Sequence, residues 1–185
     1  SETFYAETLE QCKLPVFSVT YAPVFFHGAY SDGMEQISEV LSPQIKEAAQ
    51  RTFGIVADTT QAKSVRIEES VEQCLKQNDA AYDRDASSGN GSKTLLVCGE
   101  TDNTKAFSDA AAVIQICPEQ PDYTLLTSGA VDMIVTENDY GFGYQAIAYL
   151  TKRMQGKDVS FSPPELREIT KENLFDARQD ALLFE

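Results

Sequence analysis

Apolar residues along the chain follow two rhythms. Short runs rich in β-branched and aromatic side chains alternate with longer stretches in which apolar residues recur every three or four positions. The runs at 15–20 (PVFSVT), 52–57 (TFGIVA), 94–98 (TLLVC) and 131–136 (VDMIVT) predict strands, their near-continuous apolar character suiting burial on both faces of a sheet. Helical spacing predicts helices over 4–12, 34–50, 62–78 and 141–154. Pro43 is expected to kink or split the second of these. The last should bury a face that includes Phe142, Ile147, Leu150 and Met154, and Gly156 should end it.

Three stretches are read from local chemistry. Residues 102–113 are small enough for a helix, while 113–117 (VIQIC) fits either a further strand or its continuation. A short helix over 123–127 should close on Gly129 as a left-handed cap. Residues 21–33 hold Pro23, Gly28 and Gly33 among aromatics and read as a connecting or ligand-facing loop; 82–93 (YDRDASSGNGSK) reads as a surface loop.

Strands separated by helices predict right-handed crossovers and an α/β fold, a three-layer α/β/α sandwich on a mostly parallel sheet. In such sheets ligands bind at the carboxyl ends of the strands. That rule selects the segments 21–31, 58–66, 99–103, 117–122 and 137–140.

Composition narrows the function. The 185 residues carry 29 acidic and 15 basic side chains, a net charge of -14, which argues against a nucleic-acid surface and against docking on anionic lipid. No apolar run approaches the ~20 residues of a membrane span, and the polar, acidic start is unlike a signal peptide. The four cysteines, Cys12, Cys74, Cys98 and Cys117, are widely spaced and accompany a single histidine, His27, so a zinc site is not expected and buried free thiols are. P-loop, dinucleotide-binding, zinc-protease and nucleophile-elbow motifs are all absent. His27 reads as a loop residue among Phe25, Phe26 and Tyr30. An α/β enzyme using Cys98, a conceivable nucleophile at a strand end, or His27 as a lone acid-base group is the least favoured reading.

One stretch is more specific. Residues 124–160, TLLTSGAVDMIVTENDYGFGYQAIAYLTKRMQGKDVS, followed by ITKENL at 169–174, resemble the last third of type I periplasmic binding proteins of the sugar-transport class, ribose- and galactose-binding proteins among them. Upstream, KLPVFSV at 13–19 is similar to the strand before the first crossover between lobes, RIEESVEQCL at 66–75 to a helix opening with an arginine at the ligand cleft, and ETDNTKAFSDAA at 100–111 to the segment usually written N-D-x-x-A-x-G-A. The same fold serves as the effector domain of repressors of the lactose-repressor type and as the sensor domain of some receptors.

The resemblance implies a hinged binder of sugars or similar polar solutes that performs no catalysis. Two such lobes take roughly 270 residues at ~100 to 150 each, so the chain is expected to supply mainly the C-terminal lobe. By this reading 1–20 form the hinge-proximal helix and strand of the first lobe, 21–160 the C-terminal ligand-binding lobe, and 161–185 a crossover strand and tail. Arg66 matches the family's cleft arginine, Asp102 and Asn103 its ligand-binding asparagine and aspartate in swapped order, and Glu137 its glutamine. Cys117 stands where the family commonly has an aspartate that binds sugar hydroxyls. Tyr21 and Phe25 are candidates for stacking on a sugar face. No metal or cofactor is implied. The implied setting is periplasmic or extracellular, with a membrane permease or a receptor as partner and the remaining first lobe in another chain or removed; a regulatory module of the same fold, which would allow the cytoplasm, is the alternative.

Overall fold

The computed structural model describes residues 17–18, 28–29, 36–48, 51–84, 93–100, 107–117, 121–137, 139–159 and 165–175. Contacts divide the chain into two compact units, one of Ser1–Asp32 with Asn138–Pro164 and one of Gly33–Glu137 with Glu165–Glu185. In the first, β1 (Phe17–Ser18) pairs in parallel with β2 (Gly28–Ala29). The strand at 15–20 is therefore present at its centre, and the stretch taken as a loop over 21–33 contains a strand. The helix expected over 4–12, His27 and Cys12 lie outside the described residues.

The second unit is built on a six-stranded sheet. Its strands are β3 (Thr52–Ala57), β4 (Tyr82–Asp83), β5 (Lys93–Cys98), β6 (Ala112–Ile116), β7 (Met133–Glu137) and β8 (Leu166–Thr170), in the spatial order β4-β3-β5-β6-β7-β8. All neighbours are parallel except β7 and β8, which run antiparallel with Glu137 opposite Leu166. The central strands are apolar on both faces because both faces are covered. Period-two alternation divides them: Leu96 and Cys98 of β5, Ile114 and Ile116 of β6 and Val135 of β7 enter one core, while Leu95, Val97, Val113 and Ile134 enter the other.

The first core is closed by α1 (Ile37–Glu47) and α2 (Ala62–Gln77), which bury Ile37, Leu41, Ile45, Ile67, Val71, Cys74 and Leu75. The second is closed by α3 (Thr124–Ser128) together with Phe107, Val131 and Leu174. This is the α/β/α sandwich expected from the alternation of strands and helices. Pro43 does not split α1, which runs through it as one element with the proline on the exposed side. Gly129 adopts the left-handed conformation (φ 76°) that ends α3, as expected.

Three further expectations fail. The stretch 82–93, read as a surface loop, opens with β4 and ends on the first residue of β5, because both segments pair with β3. The helix read as far as residue 113 gives way to a turn at 107–111 and then β6, because Val113 and Ile114 are claimed by opposite cores and only a strand presents consecutive residues to opposite faces. In α4 (Asp139–Met154), Ile147 and Met154 are about 70% exposed instead of buried, whereas Tyr149 is buried. Among the described residues no helix is long and apolar enough to cross a membrane.

Candidate functional site

The strand order turns around at β3. The crossover through α2 places β4 on one side of β3, and the chain then passes to the other side to form β5, β6 and β7. The connections leaving β3 and β5 thus diverge, and divergence at the carboxyl ends of adjacent parallel strands opens a crevice. A cavity of about 110 Å³ lies there. Gln61, Lys63, Ser64 and Ile67 line it from the start of α2, Gly99 and Glu100 from the end of β5, and Cys117 from the end of β6. Three of the five segments selected from the sequence therefore meet at one place.

Each wall has a local cause. Asp58 follows β3 and its carboxylate accepts hydrogen bonds from the Thr60 N–H (2.9 Å), the Thr60 hydroxyl (2.6 Å) and the Gln61 side-chain amide (2.8 Å), fixing the turn that delivers the chain into α2. The Thr60 hydroxyl, then its N–H, then Gln61 hold the Asp58 carboxyl below its ordinary range. At the amino end of α2 the N-cap residue Gln61 makes no side-chain capping bond, and the first turn holds no acidic residue. The peptide groups there present N–H donors that the helix itself does not use.

Gly99 forms the floor. Its N–H donates to the Ile116 carbonyl (2.8 Å) and its carbonyl accepts from the Gln115 side-chain amide (3.0 Å), so β6 grips the residue from both sides. It holds φ at +91°, and the Ser64 hydroxyl lies against its Cα. Ser64 is 1% exposed, and among the described residues its hydroxyl has no hydrogen-bond partner; neither does the Oε1 of Gln115, itself 2% exposed. Buried polar atoms are nearly always satisfied, and each exception asks for an occupant or an explanation.

The residues singled out in the sequence fall as follows. Cys117 lines the cavity, buried, its N–H bonded to the Val135 carbonyl (2.9 Å). Arg66 is exposed one turn into α2, its carbonyl accepting from the Ser70 hydroxyl. Glu137 ends β7 and is 6% exposed. Neither Arg66 nor Glu137 lines the cavity. Asp102, Asn103, Tyr21 and Phe25 lie outside the described residues. Cys98 is buried beneath the floor; burial, and secondarily Glu68, push its thiol well up, so the thiolate needed of a nucleophile is disfavoured. Ser64 and Gly99 were not singled out, since a lone serine in a helix carries no motif; the signal present was a helix start without an acid, opposite a glycine that ends a strand.

No protein-family model matches the chain, and no curated protein sequence does. Solved structures do. The chain is similar to a protein described as an ABC transporter, LacI family transcriptional regulator, from Brachyspira murdochii, with a TM-score of 0.73 and 13% identity over 99% of this chain and 76% of that one. It is similar to a carbohydrate transporter solute-binding protein from Agrobacterium radiobacter in complex with D-arabinose, with a TM-score of 0.60 and 16% identity over 96% and 72% of the two chains. A third likeness is to a mutant of the XylFII–LytSN complex, with a TM-score of 0.66 and 14% identity over 93% and 81%. The fold is that of type I periplasmic sugar-binding proteins and LacI-like regulators.

Proposed function

We propose that this protein binds a small polar solute, a saccharide, without transforming it, as the solute-binding component of an ABC-type transport system working outside the cytoplasmic membrane. The observation that carries the reading is the cavity at the strand-order reversal, with the buried Ser64 hydroxyl, unpartnered among the described residues, in its wall. A group of that kind costs about 1–3 kcal/mol in the empty protein and is repaid when an oxygen-bearing guest enters.

The cavity is smaller than the ~300 to 1,000 Å³ that encloses a whole ligand, so it serves as one subsite of a larger recognition surface. Arg66, Asp102, Asn103 and Glu137 are proposed to supply further hydrogen bonds, with Tyr21 or Phe25 against an apolar ring face. Neighbours of the same fold described as carbohydrate-binding support the reading, as does the high position of the Cys98 thiol, which weighs against the alternative of a cysteine-dependent enzyme.

Titration calorimetry of the protein with a panel of pentoses, hexoses and sugar acids tests it. Saturable binding with no product in the recovered ligand is expected; silence across the panel from a folded sample would reject it. A second reading, a module that reports ligand occupancy to a regulatory partner, is favoured by neighbours described as a transcriptional regulator and as a complex of two proteins. Pull-down with and without the bound sugar separates the two, a permease being expected under the first and a ligand-dependent regulatory partner under the second.

A further inference from the structure

We infer that the cavity at the amino end of α2 seats a carboxylate, so that the solute is an acidic sugar and not a neutral one; this rests on the solute-binding reading above. Two independent observations converge. The first is the start of α2: a 16-residue helix whose first turn has no acidic residue and no side-chain cap, but carries Lys63 there and Arg66 just beyond. The positive end of a helix dipole disfavours cations and favours anions, so the sequence places charge of the wrong sign for an isolated helix and of the right sign for a bound anion.

The second is Ser64. Its hydroxyl, in a residue 1% exposed, lines the cavity and has no hydrogen-bond partner among the described residues. A hydroxyl in that position can donate to an oxygen that also receives the spare N–H groups of the first turn.

Among the described residues, the nearby acids do not fill this role. Asp58 is engaged by Thr60 and Gln61 before the helix begins, and Glu100 is exposed at the mouth. Glu68, the first acid within α2, is paired with Arg84 at 3.1 Å. The volume of about 110 Å³ suits one substituent and not a ring.

The test uses the whole chain with glucuronate and galacturonate, the neutral parent sugars glucose and galactose, and inorganic phosphate, read by calorimetry and by the shift in Tm. Binding of an acidic sugar at least about tenfold tighter than its neutral parent, with no effect of phosphate alone, is the expected result. Tighter binding of the neutral parents would overturn the carboxylate while leaving the saccharide reading intact. Phosphate acting as strongly as the sugar acids would keep an anion site and overturn the saccharide reading; no response to any probe would overturn both.

Ser64→Ala supplies a readout that a purely structural serine would not give. It should raise the Tm of the ligand-free protein, by removing an unsatisfied buried group, and weaken the acidic sugar about tenfold or more. A lower Tm with unchanged affinity would remove Ser64 from the site.

Discussion

The hydroxyl oxygen of Ser64 stands where a β-carbon on Gly99 would have to go. The two residues come from different connections, one entering α2 and one leaving β5, and the absence of a side chain at Gly99 is what lets them meet. The glycine also holds φ at +91°, so its identity is fixed twice over.

Gly99→Ala should therefore cost about 1–3 kcal/mol from backbone conformation alone, with a further loss from the collision with Ser64. Placing Ser64→Ala in the same chain should recover the collision but not the backbone cost. Urea denaturation of both single variants and the double variant checks this; strict additivity would mean that the two side chains do not meet.

Leu96 sits at the middle of β5, fully buried, with Ile55 of β3 and Ile114 of β6 as its register partners. Leu96→Ala should destabilise by about 2–5 kcal/mol. Val40, only partly buried beside the same core, should cost clearly less when cut to alanine. Equal costs in chemical denaturation would contradict the layer arrangement.

Asp122 accepts hydrogen bonds from the Thr124 hydroxyl (2.7 Å) and N–H (2.9 Å), in that order of weight, and its carboxyl is held below the ordinary value of 3.8. A carboxyl lowered in the folded state contributes stability that is present above the unfolded pKa and lost as the pH falls through the folded one. The Tm difference between the native chain and Asp122→Ala should be largest near neutrality and shrink below pH ~4. A difference that grew on acidification would place the cause elsewhere.

Cys74, Cys98 and Cys117 are free and buried. Iodoacetamide should label them slowly in the native protein at pH 8 and rapidly in denaturant. Cys117, alone of the three in lining the cavity, should react first and be shielded by a bound sugar; Cys98 labelling ahead of it would contradict the burial described for the two thiols.

The parts of the fold that could be read in advance are those where burial dictates composition. The runs in β3, β5 and β7 are apolar because both of their faces are covered, and the helical spacing of α2 marks the face that covers them. The short strands β2 and β4 carry no such pattern: two residues have no periodicity, and they are strands only because β1 and β3 pair with them. β6 was ambiguous because alanines at 110–112 suit a helix, and the tertiary demand on Val113 and Ile114 decided the matter.

At the site, the segments were legible from topology, since the ends of parallel strands are where a crevice opens. The side chains were less so. Arg66 stood out as a charge, whereas Ser64 and Gly99 matter through their contact with each other, which is set by the packing of α2 on the sheet. Ile147 and Met154 show the converse, an apolar spacing without the burial it suggests.

Glu137 and Leu166 face each other across the antiparallel pair that finishes the six-stranded sheet. The chain departs at one and returns at the other, so the excursion of residues 138–165 is pinned at adjacent feet. Antiparallel neighbours can be bridged by as few as two residues. The last pairing of the sheet therefore depends on the meeting of these two strand ends and not on the length of chain that separates them in the sequence.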